Sequence, residues 1–149
     1  MCDEDLIKVR YVEDGSSESM WAEKLDGNRA KIRNIPFFVN SINFDDIVEI
    51  DYVNEDDYWY WKIIKVIEQK TCKVFITYEA DGDYEVGKKK YSNIYDAISQ
   101  CNGIVEGATL GFAFAAFDSG ADKLQIAYMM QMIADVKEWG FCEKSSYEE

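Results

Sequence analysis

The residue pattern changes near Lys70 and Thr71, and this change constrains the fold more than any other feature of the sequence. The first part has short apolar–polar alternations separated by turn residues, which is typical of β-structure. The second part alternates strand-like runs with two helix-like segments. We therefore predict an α+β protein, with an N-terminal all-β region (a curved sheet or partial barrel) packed on a C-terminal ferredoxin-like βαββαβ unit. No linker separates residues 1–70 from residues 71–149, so we expect one compact unit.

Five strands are predicted in the first part. Asp26-Gly27 is a tight-hairpin signal. Pro36, the one proline of the chain, is expected to interrupt the sheet because proline cannot donate a ladder hydrogen bond. An acidic loop at residues 54–57 joins the last two strands. The predicted strands cover residues 6–12, 19–24, 29–33, 47–53 and 58–67.

Two helices are predicted in the second part. The first covers residues 92–101, with Ser92 or Asn93 as its cap. The second begins at Ser119 or Asp122 and runs to Trp139, where Gly140 stops it. Apolar residues recur along it at core spacing, and these are Ile126, Met129, Met130, Ile133 and Val136. The predicted strands of this part cover residues 72–78, 104–108, 112–117 and 141–147.

The charge of the chain excludes several classes of partner. There are 29 acidic and 16 basic residues, which gives a net charge of −13 at pH 7. General binding to nucleic acids or anionic membranes needs clustered lysine and arginine. The one basic run, residues 88–90, is too short for such a face and is expected to be a solvated loop. We therefore predict a protein partner, with no nucleic acid and no membrane.

The chemistry of the side chains argues against an enzyme. The chain has no histidine, which excludes histidine-based triads and histidine-ligated zinc. Cys2, Cys72, Cys101 and Cys142 form no C-x-x-C pair and are expected to be reduced, with Cys72 and Cys101 in the core; a zinc site of four thiolates is the alternative. No phosphate-binding glycine loop is present. Residues 81–85 resemble calcium ligands only superficially and are expected to form a solvated turn. We predict no cofactor, no metal and, since no signal peptide is visible, a cytoplasmic protein.

One segment combines dense acid with dense aromatic character. No basic residue occurs between Arg33 and Lys62. Aromatic anchors and complementary charge are typical of protein-binding surfaces. The two faces of the aromatic run alternate along a strand, so either Tyr58 and Tyr60 or Trp59 and Trp61 would point outward, and a core role for the run is the alternative. The candidate partner-binding residues are Asp45, Asp46, Glu49, Asp51, Glu55, Asp56, Asp57, Tyr58, Trp59, Tyr60 and Trp61.

Several short motifs resemble a bacterial family of domains of unknown function, the one numbered 4265. They are the sequence E-S-M-W-A-E at residues 18–23, I-P-F-F at 35–38, D-I-V at 46–48 and V-E-G at 105–107. The resemblance implies a two-part β and ferredoxin-like build and no established catalytic residues. Trp21, Phe37 and Phe38 lie in these motifs. We expect them in the core, and a ligand platform is the alternative.

Three functions remain open from the sequence. We favour a non-enzymatic acidic protein that neutralises a basic protein, by analogy with the immunity proteins of bacterial toxin systems. The first alternative is a small-ligand sensor or regulatory domain with a pocket at Trp21 and Phe37. The second is an enzyme built on paired carboxylates, which the abundance of acidic residues alone does not support.

Overall fold

A computed structural model of the chain describes residues 6–142. It confirms the mixed α+β class, with nine strands and two helices among those residues. No described helix has both the length and the apolar character needed to cross a membrane. The elements in chain order are β1 (Leu6–Glu13), β2 (Ser16–Leu25), β3 (Arg29–Ile32), β4 (Ile47–Glu55), β5 (Tyr58–Glu68), β6 (Thr71–Thr77), α1 (Tyr84–Ser99), β7 (Ile104–Thr109), β8 (Phe112–Asp118), α2 (Lys123–Met132) and β9 (Glu138–Cys142).

The first unit, which ends at Lys70, is a closed barrel of β1 to β5. Consecutive strands pair antiparallel. The barrel closes through a short parallel contact between β1 and β5, in which Val9 faces Trp61 and Arg10 faces Lys62. Because a five-stranded meander returns its last strand in the direction of its first, this closing pair must be parallel. The sequence predicted only a curved sheet or partial barrel.

Side chains of alternating strand positions fill the barrel. On β2, Met20 and Ala22 are buried while Trp21 between them is exposed. The same period of two places Ile63 of β5 inside and Ile64 outside. The buried set of this unit is Val9, Met20, Ala22, Ala30, Ile32, Ile42, Val48, Ile50 and Ile63.

The second unit, which begins at Thr71, contains a four-stranded antiparallel sheet in the order β7-β8-β6-β9. Helix α1 connects β6 to β7, and α2 connects β8 to β9. The two helices contribute to one apolar cluster with one face of the sheet. Its buried members are Val74, Ile76, Tyr78, Ile94, Ile98, Val105, Ala113, Ala115, Phe117, Ile126 and Met130.

Helix α1 begins well before the predicted start at Ser92. The carboxylate of Asp83 accepts hydrogen bonds from the backbone N–H groups of Glu85 and Val86, at 2.9 and 3.4 Å, and so caps the helix. The predicted solvated turn at residues 81–85 therefore contains the true helix start. Residues 88–90, predicted as a loop, lie within α1, because the helical spacing that buries Ile94 and Ile98 extends back to Gly87.

Helix α2 ends at Met132, so the prediction that it continues to Trp139 was wrong. Residues 138–142 instead pair with β6, and Phe75 faces Gly140 across that ladder. Strand pairing with a distant segment outweighs the local helical spacing. The predicted core face is nevertheless partly right, because Ile126 and Met130 are buried and Ile133 packs against the same cluster. Residues 143–147 of the predicted last strand lie outside the described residues.

Candidate functional site

The β4–β5 hairpin carries most of the candidate residues. Its loop has two residues, Asp56 and Asp57, and Glu55 faces Tyr58 across the ladder. Both loop residues have positive φ, 55° and 63°. This is the backbone of a type I′ turn, whose twist matches that of the flanking strands. The hairpin therefore presents two adjacent exposed carboxylates at its tip.

Glu55 is bound within the hairpin itself. Its carboxylate accepts a hydrogen bond from the Tyr60 hydroxyl and forms an ion pair with the Lys62 ammonium at 2.9 Å. The hydrogen bond from Tyr60, followed by that from Lys62, lowers the pKa of Glu55 below its ordinary value of 4.5. The same contacts raise the pKa of Tyr60 and of Lys62. Glu55 therefore holds the two strands together as well as adding to the acidic surface.

The other acidic candidates differ in how they are paired. Asp45 forms an ion pair with Arg33, and Glu49 lies 3.8 Å from Lys65. Asp51 is exposed on β4. Within residues 6–142, Asp51 and the two turn carboxylates of the hairpin take part in none of the ion pairs. These three carry the negative charge that is most available to a partner.

Asp46 does not belong to the surface, and its prediction as a partner-binding residue was wrong. Its side chain is 0% exposed. One carboxylate oxygen accepts the backbone N–H of Asn43 at 2.9 Å, and the other accepts that of Lys70 at 2.7 Å. A buried carboxylate that satisfies backbone donors fixes the chain where it leaves β5 and where it enters β4. Asp46 is a structural residue.

The aromatic run divides between core and surface. Tyr58 and Trp59 are 69% and 57% exposed. Trp61 is half-buried and packs against the barrel core, and Tyr60 is half-buried on the opposite face of the strand. The sequence left open which face of this strand points outward, and each face carries one exposed aromatic residue, Tyr58 on one and Trp59 on the other. The Tyr60 face is the outer face of the barrel, while Trp59, on the Trp61 face, lies beyond the end of the core and reaches solvent.

Tyr52 completes the aromatic group, and the sequence reasoning missed it. Its ring lies 5.3 Å from that of Trp59 and 4.9 Å from that of Trp61, measured between centroids. Tyr52 faces Trp61 in the register of the hairpin. A predicted loop of two residues rather than four would have given this register and found the residue.

A cleft of about 400 Å³ opens between β1 and β5 where their short parallel contact ends. Its wall includes all the aromatic residues of the hairpin. Its cationic residues are Lys8 and Arg10. The complete lining is Ile7, Lys8, Val9, Arg10, Ser19, Tyr52, Tyr58, Trp59, Tyr60 and Trp61.

The residues of the E-S-M-W-A-E and I-P-F-F motifs are joined by Glu18. Its carboxylate accepts hydrogen bonds from the backbone N–H groups of Phe37, Phe38 and Val39 at 2.7, 3.0 and 3.1 Å. The loop that follows β3 is thereby fastened to β2. Phe38 is 86% exposed and Trp21 is also exposed, so the expectation that both lie in the core was wrong.

The cysteines differ from one another in exposure. Cys72 and Cys142 are half-buried, and burial raises the pKa of both thiols. Cys101 is exposed, so its expected core position was wrong. Cys2 lies outside the described residues. Residues 6–142 contain no group of three or more cysteine and carboxylate side chains that could hold a metal ion.

Comparisons with known proteins identify a family and a fold. A model of the family described as "Domain of unknown function (DUF4265)" matches residues 18–141. A solved structure described as a novel crystal structure of a hypothetical protein from Neisseria gonorrhoeae is similar, with a TM-score of 0.60 and 14% identity over 91% of this chain and 92% of that chain. At that identity the likeness shows the fold alone. No curated protein matches the chain.

Proposed function

Because this chain belongs to the DUF4265 family, whose description states no activity, we propose a function from the geometry of the site. The protein is a non-enzymatic binding protein that holds a basic protein through the β4–β5 hairpin. We further propose that this partner is a cognate bacterial toxin and that binding neutralises it. The observation that carries the proposal is the tip of the hairpin. There, exposed aromatic rings stand directly beside carboxylates that form no ion pair within residues 6–142.

The aromatic part of this surface would slow the dissociation of the complex. Tyr58 and Trp59 are mostly exposed, and Tyr52 stacks beside Trp59. Exposed aromatic residues on a regular element lose little entropy on binding, and tyrosine and tryptophan are enriched among residues that dominate binding energy. A partner that covers these rings would desolvate them, which lengthens the lifetime of the complex.

The acidic part of this surface would speed association and select for basic partners. Asp51, Asp56 and Asp57 add local negative charge to a chain whose net charge is −13. At physiological salt this field extends over a Debye length of about 8 Å. It raises the association rate for a cationic surface and disfavours acidic proteins. A basic protein of the same compartment is therefore the partner class that the surface fits.

The absence of catalytic activity is part of the proposal. Two of the candidate carboxylates are already engaged: Asp46 by backbone donors and Glu55 by Tyr60 and Lys62. A general acid or base needs a free lone pair or proton within reach of a substrate. These contacts support a structural role for both groups.

We also propose that the second unit is ferredoxin-like and is the scaffold rather than the site. The support is its βαββαβ order and the antiparallel strand order β7-β8-β6-β9. A fold of this type carries many unrelated functions, so it gives no argument for any one of them.

The test is capture of the partner from the native host at low and at high salt, followed by measured association rates. The decisive variant is Asp56→Asn with Asp57→Asn. A matched control exists at the β1–β2 turn, where Glu13→Gln with Asp14→Asn removes the same charge from another exposed hairpin. We expect the first pair to slow association at low salt and the second to leave it nearly unchanged.

Two results would overturn the proposal. If no basic protein is retained at low salt, the partner class is wrong. If both pairs of substitutions slow association equally, net charge rather than the hairpin is responsible, and the site is wrong. Co-expression of a captured toxin with the Asp56→Asn, Asp57→Asn variant should restore less growth than co-expression with the native chain.

A further inference from the structure

The cleft between β1 and β5 has a basic lining, although the chain as a whole is acidic. The chain carries 29 acidic and 16 basic residues, yet the ten residues that line this cleft include Lys8 and Arg10 and no carboxylate. Five of the ten are aromatic. A concave site with aromatic walls and a few placed polar groups is the usual form of a small-ligand site.

The cations of the cleft are positioned by rings and not by acids. The Arg10 guanidinium lies 4.8 Å from the centroid of the Tyr60 ring, and the Lys8 ammonium lies 5.7 Å from that of Trp21. Within residues 6–142 neither takes part in an ion pair. A cation over an aromatic face keeps its positive charge and remains able to pair with an anion.

The cleft exists because the barrel is barely closed. The β1–β5 ladder has only two residue pairs, and before Val9 and Trp61 the two strands separate. On the outer face of the barrel, the cleft brings Tyr58 and Tyr60 beside Lys8 and Arg10. Stacking on an aromatic side chain is tolerant of the identity of a planar ring, so the rings select shape and the cations select charge.

From this geometry we propose that the β1–β5 cleft is a binding site for a small planar aromatic anion, a ring that bears a carboxylate or a phosphate. The ring stacks against Tyr58 on the outer face of the barrel, and the acid group pairs with Lys8 and Arg10 on the same face. Arginine suits either acid group because its planar fork can donate two parallel hydrogen bonds. Tyr58 and Trp59 also belong to the surface proposed for the basic partner, so the anion and that partner would share part of the hairpin.

The test uses the indole N–H signals of the four tryptophans in proton–nitrogen NMR spectra of the full chain. The probes are adenosine 5′-monophosphate and indole-3-acetate, each beside its neutral analogue, adenosine or indole. We expect both anions to shift the Trp21 signal saturably, because the Lys8 ammonium lies over the Trp21 ring, with Trp139 of the second unit unmoved. Each anion should bind about tenfold more tightly than its analogue, and the ratio of the two anions assigns the acid group.

The variant Lys8→Gln with Arg10→Gln separates charge from stacking. It should weaken binding of the anions about tenfold, as expected for two partly exposed charges, and leave the neutral analogues unchanged. Lys88→Gln is the matched control, because the Lys88 ammonium also lies over a tyrosine ring, 5.9 Å from that of Tyr84, but on α1 of the second unit. The control should bind all four probes as the native chain does.

Four outcomes would overturn this inference. The first is the absence of a shift at Trp21 with every probe, and the second is anion binding unchanged by loss of Lys8 and Arg10. The third is an oligothymidylate that binds more than tenfold tighter than thymidine monophosphate, which would assign the cleft to single-stranded nucleic acid. The fourth is loss of anion binding in the Asp56→Asn, Asp57→Asn variant, which would show that the hairpin tip rather than Lys8 and Arg10 holds the acid group.

Discussion

Replacement of Asp46 by alanine should destabilise the barrel strongly, although a substitution at Asp56, in the same acidic segment, should have little effect on stability. The carboxylate of Asp46 is fully buried and accepts the backbone N–H groups of Asn43 and Lys70 at 2.9 and 2.7 Å. A hydrogen bond to a charged group contributes about 1.5–3 kcal/mol. Two such bonds, less the recovered cost of burying a charge, give an expected loss of about 3 kcal/mol.

The assay is urea unfolding followed by tryptophan fluorescence. For a small protein the slope is about 1–3 kcal/mol per molar urea, so Asp46→Ala should lower the midpoint by about 1.5 M. The control is Asp56→Asn at an exposed turn position, which removes the charge but keeps a residue that tolerates a φ of 55°, and should change stability by no more than about 0.5 kcal/mol. If the two variants unfold at the same urea concentration, Asp46 is not the buried acceptor described above and the reasoning fails.

Three further outcomes are expected. Asp57→Gly should increase the free energy of unfolding by roughly 0.5–1 kcal/mol and so raise the melting temperature, because Asp57 has a φ of 63° that glycine adopts without strain. A lower melting temperature would show that the aspartate side chain stabilises the turn. Gly140→Ala should cost about 1–3 kcal/mol, since the added Cβ would lie 2.6 Å from a ring carbon of Phe75, and unchanged thermal unfolding would contradict this packing. The carboxyl carbon signal of Glu55 should titrate below pH 4.5, and Tyr60→Phe should move its midpoint upward by removing the largest cause of the shift. Because folding lowers the pKa of Glu55, the stability that its contacts contribute is present above the ordinary pKa of 4.5 and is lost as the pH falls through the lowered pKa. A Glu55 midpoint at or above 4.5 in the native chain would refute the contact.

The local pattern of the chain predicted the strands well and the helix ends poorly. Alternation located β1 to β8 to within a few residues, because the period of two is a property of neighbouring residues. The start of α1 was missed because Asp83, its cap, was taken as part of a solvated turn. The end of α2 was missed because residues 138–142 are drawn into a ladder with β6, and no local signal reports that pairing.

The candidate surface was predicted in part. The acidic and aromatic hairpin is where the sequence placed it, and Tyr58, Trp59, Asp56 and Asp57 are exposed at its tip. Tyr52 was missed because the loop was predicted too long, which shifts the register of the partner strand. Lys8 and Arg10 could not have been added from sequence, since they reach the hairpin only through the β1–β5 contact.

The sequence by itself determined the class of the fold, the alternation of each strand and the overall negative charge, because composition and local periodicity act over a few residues. Only the tertiary structure decided which acids of one continuous run face solvent. Asp46 is buried because a loop and the end of β5 bring two backbone donors to it, whereas Asp56 is exposed at the tip of a hairpin. The same holds for the β1–β5 cleft, which is made by strands far apart in the chain. Burial and pairing depend on residues that are distant in sequence, and these alone turn a list of charged and aromatic residues into a surface.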